Sequence, residues 1–357
     1  MNDFLVNKLS RALDEIQDTK YFMEVCGTHT NIIGKLGLRS FLGDKVKLIS
    51  GPGCPVCVTP SKFIDYIYYL AINNKVSIIT YGDMLRVPGS NPNINLLNAK
   101  ALGADVNMVY SSVDSIKIAK ENTDKEYVFL AIGFETTIAS TCILLNEINN
   151  AKITNLKILS LHKKVEPVVR KLIHDKDIKI DGFLCPGNVA VVIGEKGFEY
   201  IKEENMIGVI TGFSDDEIIK AIIQLINNSN SKKGILINEY KTFVSYEGNI
   251  LAKEIIDLYF KEDRALWRGL GEINLSGYVL KDEFSKYDIL KKYPLEEVLS
   301  QSKVEKVKYV CRCGDILKGK ITPKECELFR EVCTPDFPIG PCMVSSEGTC
   351  GTYYKYE

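Results

Sequence analysis

The sequence predicts an α/β protein with two consecutive parallel-sheet sandwich domains and a smaller cysteine-rich domain behind them. Three observations carry this reading. Short β-branched apolar runs recur through the middle of the chain at a spacing of about 25–30 residues, the length of a βα unit. The runs are almost continuously apolar, which suits parallel strands covered on both faces. After about residue 240 this beat stops, and six of the 11 cysteines fall in the last 47 residues.

The elements follow in order. MNDFLVNKLSRALDEIQDTK reads as an amphipathic helix, not a signal peptide, because it has no unbroken apolar core. No apolar run reaches the roughly 18–20 residues of a membrane helix. With 45 Lys+Arg against 46 Asp+Glu, nothing marks a nucleic-acid or membrane surface. A cytosolic protein, monomeric outside transient complexes, is expected. VKLIS (46–50), VSIIT (76–80) and VNMVY (106–110) give the strands of a first domain, 1–122. YVFLAIG (127–133), LKILSL (156–161), IDGFL (180–184) and IGVIT (207–211) give a second, 123–240, with AKENTDKE (119–126) as the link. The third region, 241–357, holds the Gly-punctuated ALWRGLGEINLSGYVL, a helical KDEFSKYDILKKY, VEKVKYV (304–310) and the cysteines. The N-terminal helix is a candidate to pack on this region. The tail is too loop-rich to bury a core, so a metal centre would supply the missing stability.

Ligands in doubly wound sheets sit beyond the carboxyl ends of the strands. The chemically unusual residues collect there, in GPGCPVC (51–57), FETT (134–137), HKKVEP (162–167) and CPGNVAVVIG (185–194). Ordinary turns explain the glycines and prolines but not the Cys, His, Glu and Asn. Cys54-Pro-Val-Cys57 precedes a helix, where the macrodipole favours thiolate. That suits disulfide exchange or a soft metal; two inert buried thiols are the plain alternative. Cys26-Gly-Thr-His29 offers a thiolate and an imidazole as metal ligands, or a Cys–His nucleophile. A capping Thr beside a core Cys is the plain reading there. Cys142 reads as core packing, and Cys185 is ambiguous. Neither a complete dinucleotide fingerprint nor a phosphate-binding G-x-x-x-x-G-K-[ST] is present, so tight nucleotide binding is not expected.

The tail spacing is C-x-C-x12-C-x6-C-x8-C-x7-C. It lacks both zinc-ribbon knuckles and the bacterial ferredoxin pattern. Four ligands to a [4Fe–4S] cluster plus a redox pair account for six cysteines. A structural zinc with two spectators is the alternative.

Taken together, EVCGTHT (24–30), GPGCPVC, GFETT (133–137), RALWRGLGEI with its following SG (264–277) and CRCG…CTP…GPCMVSSEGTC (311–350) resemble the hydrogenase maturation protein HypD family nearly end to end. The resemblance implies a scaffold that assembles the Fe(CN)2(CO) unit of [NiFe] hydrogenases. It works with a small HypC-type chaperone and receives cyanide from a HypE-type carrier. The implied fold has two α/β domains and a third that holds a [4Fe–4S] cluster. Carried over by motif, Cys26 becomes the leading ligand to a mononuclear iron carrying CN and CO, with His29 beside it. Cys54 and Cys57 become the redox thiol pair, with Glu135 and Thr136 lining the same cleft. Cys311, Cys326, Cys333 and Cys350 are assigned to the cluster, and Cys313 and Cys342 to a redox pair that passes electrons toward Cys54 and Cys57. One departure stands out. The family commonly shows P-G-H-V-S where this chain has Pro186-Gly187-Asn188-Val189-Ala190, and Asn supplies no imidazole. A free-standing iron–sulfur disulfide reductase shares the cysteines but gives Cys26 and His29 no duty. A zinc-stapled interaction protein is the third reading.

Overall fold

The computed structural model describes residues 2–300 and 310–357. All but the last residue of VEKVKYV lies outside that range. The strands are β1 (Lys20–Cys26), β2 (Val46–Gly53), β3 (Ser77–Thr80), β4 (Val106–Met108), β5 (Tyr127–Ala131), β6 (Leu156–Ser160), β7 (Gly182–Pro186), β8 (Ile207–Thr211) and β9 (Ile235–Asn238), followed by the hairpin β10 (Phe260–Trp267) and β11 (Gly271–Leu280). The first nine build two parallel sheets, as expected for an α/β protein. One has the order β2-β1-β7-β8-β9 and the other β4-β3-β5-β6. Strands β5, β7 and β8 are buried along their whole length, the signature of strands covered on both faces.

The order along the chain differs from the sequential reading. β1 pairs with β7, which joins residues 20–53 to residues 182–238 in one sheet. β4 and β5 both flank β3, so the border expected between residues 122 and 123 runs through the middle of the other sheet. The four-stranded sheet is inserted into the five-stranded one. A parallel neighbour is reached only by a crossover, and strand spacing does not say how far that crossover reaches. KYFMEVC, unremarked as a strand in the sequence, is the second strand from one edge of the larger sheet.

The region after residue 240 divides its packing. The hairpin lies on the four-stranded sheet, where Ser160 Oγ donates to Tyr278 O at 2.8 Å and Lys164 N to Ser276 O at 2.9 Å. Trp267 is buried in it and donates from Nε1 to Ser276 Oγ at 2.8 Å. The C-terminal helix Thr349–Tyr356 lies instead on the helix Gly27–Lys35 beside the five-stranded sheet. A Cβ at Gly34 would meet Thr352 Cγ2 at 2.6 Å, so glycine permits this approach. The N-terminal helix Asp3–Asp14 packs on the helix Asp215–Asn228. Its apolar face, with Leu5, Leu9 and Leu13, joins Ile218, Ile219 and Ile222 of the helix Asp215–Asn228 in one core. That helix starts at a Ser214/Glu217 capping box.

Candidate functional site

The two sheets turn the carboxyl ends of their strands toward one cavity of about 210 Å3. From the five-stranded sheet come Val25 and Cys26 at the end of β1, Gly53 at the end of β2, and Pro186, Asn188 and Val189 beyond β7. From the four-stranded sheet come Phe134, Thr136 and Thr137 beyond β5 and Val165 beyond β6. Glu347 reaches in from the tail.

Cys26 ends β1 and caps the helix Gly27–Lys35. It pairs with Gly53, where the strand register shifts. A Cβ at Gly53 would stand 1.6 Å from Val25 O, so only glycine lets β2 run this close. Cys54 follows Gly53 directly, one residue past this pairing. Burial pushes the Cys26 thiol above its ordinary pKa, and the Glu347 charge adds to this. Glu347 is fixed by Thr28, whose hydroxyl donates to Oε1 at 2.7 Å. Asn188 is exposed and lines the same cavity; its own Oδ1 accepts from Val189 N at 2.9 Å.

His29 is elsewhere. Its Nε2 donates to Gly212 O at 3.0 Å, and its ring stacks on Phe213 with centroids 4.7 Å apart. Burial holds its pKa down to about 4, so the ring is neutral. Donation from Nε2 leaves Nδ1 as a buried acceptor without a partner. The ring lies under the end of β8 and does not line the cavity.

Cys54 and Cys57 form a disulfide at the four-residue helix Pro55–Val58. Both are buried, and Cys54 Sγ accepts from Cys57 N at 3.2 Å. Pro55 lines the Cys26 cavity on one side. On the other, this short helix packs against the turn Pro341–Met343 that carries Cys342. Glu135 and Thr136 part company. Thr136 faces the Cys26 cavity, whereas Glu135 lines a separate one. Consecutive helix residues point about 100° apart, and here Thr136 and Thr137 face this cavity while Glu135 turns to the other. Glu135 Oε1 accepts from Val165 N at 2.9 Å, and burial pushes its pKa up to about 7.

All six tail cysteines line one small chamber, with Ile316, Leu328, Phe329 and Met343 as apolar walls. None is in a disulfide. Cys313 and Cys342 lie within hydrogen-bonding reach of each other, and Cys311 lies within reach of Cys313. Cys350 feels Cys311, Cys333, Cys313 and Cys326. Two backbone groups donate to sulfur: Cys313 N to Cys311 Sγ and Ile339 N to Cys333 Sγ, each at 3.4 Å. Such donors favour thiolate and tune a bound cluster. Among the described residues no set of three or more Cys, His, Asp or Glu closes to single-ion geometry, so the case for metal rests on this shared chamber. The hairpin tip closes the chamber's flank, where Gly269 lies so close to Gly314 that a Cβ would stand 2.3 Å from its Cα. Arg268, from the same tip, donates to Pro88 O at 2.7 Å; neighbouring thiols and burial leave the pKa values of Cys311, Cys313 and Cys342 raised, and its charge offsets this only in part.

Sequence reasoning missed Glu347 and Thr28. Both lie inside quoted motifs, and the signal lay in their company. A carboxylate three residues before Cys350 and a hydroxyl two after Cys26 are polar groups bracketing thiols.

The family model HypD, described as "Hydrogenase formation hypA family", matches residues 3–357. The hydrogenase maturation factor HypD2 of Bradyrhizobium diazoefficiens is 39% identical over 98% of this chain and 92% of its own. The HypD factors of Cupriavidus necator and Escherichia coli K12 are each 37% identical over 94% of this chain and cover 89% and 88% of their own lengths. A chain matched end to end by that family model, and at this identity by its maturation factors, belongs to the HypD family of hydrogenase maturation factors.

Proposed function

We propose that this chain is the scaffold on which the Fe(CN)2(CO) unit of [NiFe] hydrogenases is assembled. The iron is cargo, held at the cavity between the two sheets. The observation that carries the reading is the convergence there of Cys26, the Cys54–Cys57 disulfide and, directly behind it, the six-cysteine chamber. Cys26 is the one free thiol in the cavity lining. As thiolate it is a soft ligand suited to low-spin iron(II) under strong-field cyanide and carbon monoxide. The cavity is open enough for a second thiolate from a HypC-type chaperone and for delivery by a HypE-type carrier. His29, neutral and hydrogen-bonded to Gly212 O, supports the Cys26 helix from behind.

The six-thiol chamber, with apolar walls and two backbone donors to sulfur, fits a [4Fe–4S] cluster. Cys311, Cys326, Cys333 and Cys350 would hold it, with Cys313 and Cys342 as the remaining pair. A cluster bound there supplies single electrons. Opening the Cys54–Cys57 disulfide takes two electrons and two protons, and the resulting dithiol begins one residue past Gly53, the ladder partner of Cys26. Its position against the Cys342 turn suits thiol–disulfide exchange between the two pairs. The chain works in the cytoplasm. Among the described residues no helix is long and apolar enough to cross a membrane.

The test is a Mössbauer spectrum of iron-57-labelled protein co-expressed anaerobically with its maturation partners. A [4Fe–4S] signal beside a separate low-spin mononuclear iron(II) is expected. A cluster signal alone, with active partners present, would replace the scaffold with a disulfide reductase. Cys54→Ala protein that forms as much Fe(CN)2(CO) as the parent would remove the thiol pair from the mechanism.

A further inference from the structure

Glu135 has no task in the scaffold mechanism, yet its surroundings are those of a binding site. Its side chain is 1% exposed. Oε1 is held by Val165 N, whereas Oε2 is buried with no hydrogen-bond partner. A carboxylate oxygen left without a donor is costly, and a donor supplied from outside relieves it. Glu135 is one of the residues lining a cavity of about 230 Å3, distinct from the Cys26 cavity, with Oε2 buried at its edge. This is below the roughly 300 Å3 at which sites for drug-sized ligands begin, and it suits a single side chain or a small ion with a short stem.

The cavity is built for a particular polarity. Val192, Ile193 and Ile256 give it an apolar wall. Acids Glu166, Asp257 and Glu262 stand around Glu135 in the lining, against two bases, Lys164 and Lys253. Lys164 is already paired with Glu262 at 2.7 Å, and Lys253 lies 3.8 Å from Glu247. Glu166 is likewise paired with Arg170 at 3.0 Å, so the cavity offers one buried acceptor without a donor and a hydrophobic side.

We propose that this cavity binds an alkylguanidinium or alkylammonium group, with the cation against Glu135 Oε2 and the methylene stem along Val192, Ile193 and Ile256. Charge-assisted donation to a carboxylate is the strong form of hydrogen bond, and an apolar wall holds a methylene stem. The same chemistry comes from two sources, a free small amine or an Arg or Lys side chain presented by a partner protein. The site shares structure with the assembly cavity. Thr136 follows Glu135 directly, and Val165, held by Glu135, lines that cavity.

Titration calorimetry of the full chain with n-butylguanidinium tests the proposal, with neutral n-butylurea as the comparison. The cation is expected to bind about tenfold more tightly than the urea, the gain typical of a charge-assisted bond. Glu135→Gln keeps an acceptor for Val165 N and is expected to abolish that preference. Equal binding of the two probes, no binding of the cation, or an unchanged preference in the variant overturns the proposal. A second measurement needs no variant. Burial raises Glu135 to about 7, and a cation favours its ionised form. The charged and titratable groups facing it are Lys164 and Glu166, Lys253 and Asp257, Glu262 on β10 and Tyr278 on β11. Affinity should rise as pH rises through about 7, and a flat profile overturns the assignment. Excess n-butylguanidinium that displaces the small chaperone identifies a partner's side chain as the natural occupant. Binding without displacement identifies a free amine. This last arm alone rests on the scaffold reading, so its failure leaves the cation site standing.

Discussion

Cys26 and the six tail cysteines are all free thiols, but the chain fixes them by opposite means. Cys26 ends a strand paired on both sides, between β2 and β7, and a glycine at Gly53 holds β2 against it. Its position is set by a backbone ladder that needs no ligand. The six tail cysteines sit on single turns and short helices, such as Cys313–Leu317, Pro341–Met343 and the start of Thr349–Tyr356. Only their side chains converge. A thiol on a ladder is preorganised for cargo that arrives and leaves. Thiols on loops gain their order from a group that stays.

The largest effect should come from the tail. Cys333→Ala in iron-loaded protein is expected to lose cluster iron and sulfide and to expose residues 310–357 to limited proteolysis, because metal binding in such segments contributes on the order of 10 kcal/mol of folding free energy. A tail equally protease-resistant without iron would break the contrast. Next is the ladder itself. Gly53→Ala forces β2 away from Val25 O and should cost about 3 kcal/mol or more, read as a fall in thermal stability. A stable Gly53→Ala protein would mean that the strand ends are softer than the register implies.

Acid sharpens the comparison from another side. His29 and His162 are both buried and neutral, with pKa values lowered to about 4 and about 3 from 6.5. The unfolded chain takes up these protons first, so the stability each contributes is present above about 6.5 and is lost as pH falls through that window. Glu135, raised to about 7 from 4.5, acts oppositely and gains toward acid. Glu24, Asp65 and Asp288, also raised by burial, side with Glu135, so the fall in denaturant midpoint from pH 6.5 to 4 that the two histidines cause is read against the variant. His162→Gln, keeping a partner for Thr141 Oγ1, should flatten that fall. The smallest effect on the fold belongs to Cys26→Ala, about 1 kcal/mol or less. It should nonetheless abolish mononuclear iron, measured by iron analysis beside an unchanged cluster. Iron retained there would remove Cys26 from its role.

The strand beat, the parallel sheets and the gathering of Cys26, Cys54, Thr136 and Asn188 at strand ends were legible because they depend on local pattern. The insertion of one sheet into the other was not. Whether β1 finds β7 or a nearer strand is decided by tertiary packing over about 160 residues, and all the strand runs look alike. Glu135 was misplaced because a motif is read as a string, while its helix sends Glu135 and Thr136 into different cavities. His29 was set beside Cys26 for the same reason, and its ring turns instead to Gly212 O. Glu347 was invisible as part of the cavity because its distance from Cys26 in sequence hides its bond to Thr28.

The inserted sheet also sets a schedule for synthesis. Every strand of the four-stranded sheet emerges from the ribosome before β7 does, so that sheet can close while β1 and β2 still lack their central partner. Cys26 and Thr211, at the end of β8, are 211 − 26 = 185 residues apart. At about 5–20 residues per second the nascent chain waits on the order of ten seconds or more for the larger sheet. The tail that carries Glu347 follows later still. The Cys26 cavity is therefore among the last features to form, completed only once both sheets and the tail are in place.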